Sequence, residues 1–325
     1  MSLPLTPCAG FSSHAPGRYN SAMDEFLLSL ESCELCPRRC GKNRLRGELG
    51  FCGAGAESVV AYYGPHFGEE PPISGVRGSG TVFFSPCNMR CVFCQNYQIS
   101  HAASGVPVTV EGLVEIFFEL AGKGVHNINL VSPTPYAPHI AAAITRARKE
   151  GLDIPFLYNT GAYEERQTIR SLEGLIDIYL PDLKYWNSAV AAKLSAAPRY
   201  PAAATEAIVE MHTQVGDLKV EGGIAKRGLL IRHLVLPGGL AGSKSIVSWI
   251  EEKLGRHAGF SLMSQYHPLG RAHEYPLINR RIRDDEYDPL IEMLARKGFE
   301  NVYTQELESA ESYLPDFERE RPFQE

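Results

Sequence analysis

Short apolar segments alternate with amphipathic ones along most of this chain. Apolar runs typical of buried strands occupy residues 81–84, 127–131, 154–159, 175–180, 229–236, 260–265 and 301–304. Apolar side chains recur at helical spacing over residues 110–121, 139–149, 164–172, 205–215, 243–254 and 284–297. Strands that alternate with helices in this way are typical of parallel βαβ units. The pattern therefore predicts an α/β fold with six βα repeats.

Six such repeats in one parallel sheet favour an incomplete (β/α)6 barrel. In parallel barrels, ligands bind at the carboxyl ends of the strands. Polar or glycine-rich sequences follow the predicted strands at residues 87–94, 132–135, 158–161, 181–184, 237–239 and 264–267. We expect these segments to meet at one end of the barrel and to form the active site.

The residues before the first predicted strand divide into two parts. Residues 1–22 are rich in Pro, Ser, Gly and Ala, and we expect a mobile leader there. Residues 23–80 form a cysteine-rich extension, with a short helix at 24–30 and a glycine-punctuated loop over 53–80. Residues 81–305 form the barrel, and residues 306–325 form a C-terminal tail.

Composition and charge narrow the class of protein. The 325 residues are 44% hydrophobic and 22% charged, which is ordinary for a globular protein. A formal net charge of −6 argues against nucleic acid as a partner. No segment reaches the length of a membrane span, and the first residues lack the basic and apolar regions of a signal peptide. We therefore expect a cytoplasmic protein without a membrane partner.

Seven of the eight cysteines fall into two tight groups. Because the cytosol keeps thiols reduced, such groups indicate metal or cluster binding rather than disulfides. Cys87, Cys91 and Cys94 form the second group, on a short loop after a predicted strand. Cysteines on short loops of this kind hold iron–sulfur clusters, and three ligands leave one iron of a [4Fe–4S] cube open. Buried core cysteines or part of a zinc site are the alternatives.

The first group predicts a second metal site. Cys33, Cys36, Cys40 and Cys52 have the spacing Cys-x2-Cys-x3-Cys-x11-Cys and could hold either zinc or a second iron–sulfur cluster. The segment is short and polar, so a bound metal would stabilise it directly. The alternative to a metal site is a reduced, metal-free knuckle. A nucleic-acid-binding module is a further alternative, because several arginines lie over residues 38–46.

The cysteine loop resembles a known signature. Cys-x3-Cys-x2-Cys with Phe93 before the third cysteine is similar to the signature loop of the radical S-adenosylmethionine (SAM) superfamily. The resemblance implies a [4Fe–4S] cluster on Cys87, Cys91 and Cys94, with SAM chelating the open iron. It implies reductive cleavage of SAM to a 5′-deoxyadenosyl radical that abstracts hydrogen from a substrate. A donor such as flavodoxin or ferredoxin would supply the electron.

Further motifs resemble the pyruvate formate-lyase activating-enzyme branch, and within it the PflX-like group. They are Leu35-Cys-Pro-Arg38, Cys91-Val-Phe-Cys-Gln-Asn96, Tyr158-Asn-Thr160, Asp177-Ile-Tyr-Leu-Pro-Asp-Leu-Lys-Tyr185, Arg232-His-Leu-Val-Leu-Pro-Gly238 and Leu262-Met-Ser-Gln-Tyr266. This resemblance implies an oxidoreductase that forms a glycyl radical on a partner protein. Modification of another protein, an RNA or a metabolite stays open, as does a non-catalytic iron–sulfur or zinc protein.

The resemblance also implies residues that bind SAM. Lys184 of Asp182-Leu-Lys184 matches a lysine that contacts the SAM carboxylate, although a structural salt bridge is the alternative. His267, in Tyr266-His-Pro-Leu-Gly270, matches a histidine that contacts SAM. Val235 falls where the family packs a residue against adenine.

Two strand ends depart from the family pattern. Ser132-Pro-Thr-Pro135 replaces the Gly-Gly-Glu that binds the SAM amino group, so an exposed carbonyl or the Thr134 hydroxyl is the candidate acceptor. Asn159 and Thr160 could hydrogen-bond the ribose or the amino group, or cap the following helix. In the 53–80 segment, His66 with Glu69 or Glu70 could form a metal or acid/base pair, although a hydrogen-bonded loop histidine is the favoured interpretation.

Overall fold

The structure is a computed structural model, and it describes residues 21–101, 104–307 and 314–323. The predicted leader lies outside the described residues except for its last two positions. The strands are β1 (Ser58–His66), β2 (Ser79–Phe84), β3 (Val106–Val108), β4 (Ile128–Val131), β5 (Phe156–Thr160), β6 (Ile178–Pro181), β7 (Lys219–Glu221), β8 (Ile224–Leu234), β9 (Gly259–Met263) and β10 (Val302–Thr304). The helices are α1 (Ser21–Leu28), α2 (Pro71–Ser74), α3 (Tyr97–Ser100), α4 (Val110–Gly122), α5 (Ala137–Lys149), α6 (Arg166–Arg170), α7 (Ser188–Ser195), α8 (Tyr200–Val215), α9 (Ser243–Lys253) and α10 (Asp284–Lys297).

A mostly parallel sheet forms the centre of the molecule. Its strand order is β10-β9-β8-β6-β5-β4-β2-β1-β3, and all pairs from β10 to β2 are parallel. In the described part of the chain this order leaves β3 and β10 as two separate edges. The predicted α/β fold, a partial barrel built from six βα repeats, is confirmed.

Helices α4 and α10 lie within one residue of their predicted bounds, whereas α8 begins at Tyr200 instead of residue 205 and α6 covers only Arg166–Arg170 of the predicted 164–172. The Thr109 side chain accepts a hydrogen bond from the Gly112 N–H at the start of α4, at 3.2 Å. At α10 the Glu286 carboxylate accepts from the Arg283 N–H at 3.0 Å, and Gly298 ends the helix with a φ of 71°. Two side-chain oxygen caps of this kind satisfy N–H groups that would otherwise have no partner.

The two faces of the sheet have different neighbours. Along β5, Phe156 and Tyr158 join the large core beneath the helices, whereas Leu157 belongs to a small inner cluster. That inner cluster also contains Ile73 of α2, which closes one end of the barrel interior. Toward the carboxyl ends of the strands, the inner face of the sheet becomes polar and lines a cavity.

The prediction that residues 53–80 form a loop is wrong, because the segment contains β1 and α2. β1 pairs antiparallel with β2 from Val60 to His66 and with β3 from Ser58 to Val60. Gly64 and Pro65 suggested a break, but Pro65 lies beyond the part of β1 that pairs with β3, where β1 is an edge strand and a proline is tolerated. The predicted domain boundary after residue 80 falls within β2, which pairs with β1.

Four further elements had no sequence prediction, namely α3, β3, α7 and β7. α7 begins at the Asn187 cap, whose Oδ1 accepts from the Ala189 and Val190 N–H groups. β7 forms a hairpin with β8 across Gly222 and Gly223. Within the described residues, no helix has the length and apolar character needed to cross a membrane.

Candidate active site

The loop after β2 brings three cysteines to one cavity. Cys87, Cys91 and Cys94 line a cavity of about 370 Å³ on the inner face of the barrel. The end of α7 supports this loop, because the Arg90 N–H donates to the Ser195 carbonyl at 3.0 Å and the Val92 N–H donates to the Leu194 carbonyl at 2.8 Å.

The three thiols are half-buried, and their surroundings favour the protonated form. Burial raises the pKa of Cys94 to about 12 and raises the pKa values of Cys87 and Cys91 as well. Metal ligands must be thiolates, so metal binding here would release protons. The ammonium of Lys184 acts on Cys91 in the opposite direction and favours its thiolate.

A lysine–carboxylate pair stands on the same cavity wall. The Lys184 Nζ lies 2.5 Å from Asp182 Oδ2, and both residues line the cavity just after β6. Burial alone would lower the pKa of Lys184, but Asp182 and Cys91 outweigh it and raise this pKa, so the ammonium stays charged. Tyr200 holds the loop from α8 by donating to the Asp182 carbonyl and accepting from the Lys184 N–H.

A buried carboxyl lies behind the ends of β4 and β5. The hydroxyls of Thr134 and Thr160 both donate to Glu164 Oε1, each at 2.5 Å. Burial raises the pKa of Glu164 to about 7, against opposing hydrogen bonds from those hydroxyls. Thr160 and Asn159 line the cavity, whereas Thr134 lies behind the wall.

A buried ion triad forms the opposite wall. Arg232 of β8 donates to both oxygens of Glu70, from Nε at 2.8 Å and from Nη2 at 2.6 Å, and it also contacts Glu69. Asn129 of β4 donates to Glu69 Oε1 at 2.7 Å. These carboxylates therefore bind an arginine across the barrel, and the His66 ring packs 4.3 Å from Phe323.

Sequence comparisons identify the family. A profile of the radical SAM superfamily matches residues 81–225. The uncharacterized protein MJ0674 of Methanocaldococcus jannaschii is 30% identical over 281 residues, which cover 84% of this chain and 77% of that protein. This chain belongs to the radical SAM superfamily.

The solved structure of SuiB has a similar fold, and a second solved structure matches more distantly. SuiB of Streptococcus suis, in its complex with S-adenosylmethionine, matches with a TM-score of 0.50 and 15% identity, over 70% of this chain and 50% of SuiB. A domain of pyruvate-formate lyase-activating enzyme from Bacteroides vulgatus matches with a TM-score of 0.38 and 15% identity, over 53% of this chain and 92% of that domain. The radical SAM chain described here thus spans about half the length of SuiB.

Membership of the radical SAM superfamily implies SAM and a [4Fe–4S] cluster. A cube presents a separate iron to each thiolate, so its ligands share a cavity without converging on one ion. Cys87, Cys91 and Cys94 do share a cavity, while no three His, Cys, Asp or Glu side chains of the described ranges stand close enough to hold a single metal ion. This donor set fits a cluster.

Three residues expected to bind SAM do not line the cavity as it stands. Val235 is buried in the core, with its N–H donating to the Met263 carbonyl at 3.1 Å. His267 follows β9 and lies outside the cavity wall, and Thr134 contacts Glu164 instead. Their roles stay predictions.

The four cysteines of the extension lie beside the cluster loop, outside the cavity. Burial raises the pKa of Cys36 to about 12, and nearby Cys52, Glu164 and Cys33 add to the effect. The Arg44 guanidinium is buried, donating to the Gly55 and Pro135 carbonyls. It therefore docks the extension onto the barrel, and it is not a free cation for nucleic acid.

Sequence reasoning missed Glu164, the Arg232 partners and Ser195. Glu164 began a predicted helix, and nothing in its neighbourhood marked it as buried. Ser195 lies 104 residues from Cys91, whose sulfur its hydroxyl contacts. A single serine or glutamate carries no motif, so no local signal was available for these residues.

Proposed function

We propose that this radical SAM protein binds a [4Fe–4S] cluster through Cys87, Cys91 and Cys94 and reductively cleaves SAM beside it. The observation that carries the proposal is that these three thiols and the Lys184–Asp182 pair line one cavity. When bound, the cluster and SAM would supply a 5′-deoxyadenosyl radical for hydrogen abstraction. The protein then contributes orientation, charge and exclusion of water.

Each wall of the cavity has a role in this proposal. The Lys184 ammonium, with only 18% of its side chain exposed, is a partner for the SAM carboxylate. Asn159 and Thr160 offer polar atoms to the amino group or ribose, and Glu164 orients the Thr160 hydroxyl from behind. His267 would join the site if the loop after β9 moves when SAM binds, and Val235 would join it if the segment after β8 moves as well.

Anaerobic reconstitution tests the proposal. The protein is supplied with iron and sulfide, reduced, and assayed for 5′-deoxyadenosine from SAM. We expect product from the parent protein and none from Cys91→Ser, which lacks one proposed ligand. A parent protein that holds about four irons but leaves SAM intact with a competent reductant would contradict SAM cleavage.

Lys184 has its own test, because it should affect SAM binding rather than cluster assembly. Lys184→Gln should weaken SAM binding at least tenfold, which corresponds to about 1.4 kcal/mol for a lost charged contact. Its iron content should match that of the parent. Lys253→Gln is the matched control, since Lys253 pairs with Glu252 on the surface.

We propose that the hydrogen donor is a glycine Cα of a partner protein, and that a flavodoxin or ferredoxin in the cytoplasm supplies the electron. The likeness of the motifs to activating enzymes supports this choice. The test is to incubate the reconstituted protein, SAM and a candidate partner, and to search for a glycyl radical by electron paramagnetic resonance (EPR). A partner in which a Gly→Ala change leaves the radical signal intact would contradict the choice of residue.

We propose that Cys33, Cys36, Cys40 and Cys52 bind a second metal. The spacing Cys-x2-Cys-x3-Cys-x11-Cys supports this site. Within the described residues no three of these thiols stand close enough to hold one ion, so a single zinc ion would have to draw them together when it binds. Metal analysis distinguishes the candidates, since about four irons with one zinc assign zinc to the extension and about eight irons assign a second cluster. A protein with about four irons and no zinc would contradict the second site.

A further inference from the structure

Serine hydroxyls contact the sulfurs of the cluster loop. Ser195 Oγ lies 3.0 Å from Cys91 Sγ, and Ser100 Oγ lies 3.2 Å from Cys94 Sγ. The Ser132 hydroxyl is hydrogen-bonded to Cys87, and both residues line the cavity. The three serines come from three separate parts of the chain, so it is the fold that brings their hydroxyls to the sulfurs.

The Ser195 contact is the most rigidly defined. Ser195 is fully buried at the end of α7, and its hydroxyl also lies 2.6 Å from the hydroxyl of Tyr185. A hydroxyl has one hydrogen, and Ser195 gives it to Cys91. Tyr185 must therefore be the donor to Ser195, and burial keeps it protonated by raising its pKa well above the ordinary value.

Hydrogen-bond donors to the ligating sulfurs change the reduction potential of a cluster, because they interact with its negative charge. Reduction adds one electron, so the reduced cluster and its thiolates are more negative than the oxidised form. A hydroxyl that donates to a ligating sulfur stabilises the more negative form to a greater degree and raises the reduction potential. In a buried site the effect is stronger, because water does not replace the lost donor.

We propose that Ser195 and Ser100 are positioning residues that raise the reduction potential of the cluster, with Tyr185 acting behind Ser195. The proposal rests on the proposed ligation by Cys87, Cys91 and Cys94. The electron comes from the external donor and reduces the cluster, while both hydroxyls keep their protons. These residues would set how easily a flavodoxin or ferredoxin reduces the enzyme.

An EPR-monitored redox titration of the reconstituted protein, without SAM, tests the proposal. Ser195→Ala and Ser100→Ala should each shift the midpoint potential to a more negative value, and the double variant should shift it further. Tyr185→Phe should shift it in the same direction by a smaller amount. Ser195→Thr, which retains a hydroxyl, should remain closer to the parent than Ser195→Ala.

Ser79→Ala is the matched control. Ser79 is fully buried at the far end of β2, where its hydroxyl donates to Asn127 Oδ1 at 2.5 Å. This variant loses one buried hydroxyl away from the cluster, so its potential should equal that of the parent. A shift as large as that of Ser195→Ala would indicate a general structural effect and overturn the proposal.

The outcomes separate this proposal from the proposed function. If the parent binds no [4Fe–4S] cluster, the ligation itself fails. If the parent binds the cluster and Ser195→Ala and Ser100→Ala retain full iron content with an unchanged potential, only the role of the serines is overturned. Should Ser195→Ala fail to fold or to bind iron, Ser100→Ala and Tyr185→Phe decide the matter by the same measurement.

Discussion

Two arginines join the cysteine-rich extension to the cluster loop. Arg38 donates to the Asn88 carbonyl at 2.9 Å and to the Ala196 carbonyl at 2.5 Å. In return, Arg90 of the loop donates to the Phe51 and Cys52 carbonyls of the extension. Such charged donors hold backbone carbonyls that no strand or helix satisfies, so the loop conformation depends on side chains distant in sequence.

Arg38→Ala should destabilise the protein, because two carbonyls would lose a charged donor. We expect a loss of about 3 kcal/mol in the free energy of unfolding, measured with denaturant, together with reduced iron content. Arg39→Ala is the adjacent control, since Arg39 is 59% exposed and pairs with Glu165 at the surface. Its loss should stay below about 1 kcal/mol, and equal losses for the two variants would refute the docking role.

Glu164 makes stability depend on pH in a direction opposite to that of an ordinary ion-paired carboxylate. Burial raises its pKa from 4.5 to about 7, so the folded protein holds this proton more tightly than the unfolded chain. Its contribution is therefore fully present below about pH 4.5 and is lost as the pH rises to about 7. Relative to Glu164→Gln, the parent should lose about 3 kcal/mol between pH 4.5 and pH 8. Parallel pH profiles of unfolding for the two proteins would contradict the assignment.

At the scale of elements, the C-terminal segment over residues 314–323 packs against β1 and β2. Phe323 stacks on Phe83 with ring centroids 5.4 Å apart, and both line the cavity. The Phe317 N–H donates to the side chain of Gln98 in α3, just after the cluster loop. The segment therefore covers the part of the cavity that lies between the cluster loop and strands β1 and β2.

Phe323→Ala should open this side of the cavity. In protein not yet supplied with iron, we expect alkylation of Cys94 to accelerate roughly tenfold, since lost aromatic contacts are worth about 1.4 kcal/mol. Mass spectrometry of the labelled peptide measures the rate. Glu320→Ala changes an exposed residue of the same segment and should leave the rate unaltered. An unaltered rate in Phe323→Ala would mean that reagents enter elsewhere.

At the scale of the whole molecule, a single charge network spans the barrel interior. Arg232 from β8 binds Glu69 and Glu70, which precede α2, and Asn129 from β4 binds Glu69. Burial alone would raise the pKa of Glu70, but Arg232 outweighs it and holds this pKa below the ordinary range. The network ties the segment that closes the barrel end to strands on both sides of it.

Arg232→Met should be the most damaging of these substitutions, because it leaves two buried carboxylates without a counter-charge. We expect a loss of about 4 kcal/mol in the free energy of unfolding. The triple variant Arg232→Met/Glu69→Gln/Glu70→Gln should recover much of it. Arg256→Met, which removes a surface partner of Glu251, should cost less than about 1 kcal/mol. A triple variant no more stable than Arg232→Met would contradict the electrostatic account.

Local patterns in the sequence predicted the seven parallel strands and six of the helices, because apolar periodicity depends only on which face of an element is buried. They failed at β1, where Gly64 and Pro65 imitate a loop, and at α7. The spacing of Cys87, Cys91 and Cys94 likewise predicted chemistry without any knowledge of the fold, since one short loop carries all three ligands.

The sequence by itself therefore determined the element order, the fold class and the cysteine motif. Only the tertiary structure decided that Ser195 meets Cys91, that Glu164 lies beneath Thr134 and Thr160, and that Arg232 binds Glu69 and Glu70. These polar side chains are far apart along the chain, and an isolated polar residue produces no periodic pattern in the sequence that could predict its partner. They meet because the parallel strands curve around a common interior, where a buried polar group must find a partner that the sheet brings within reach.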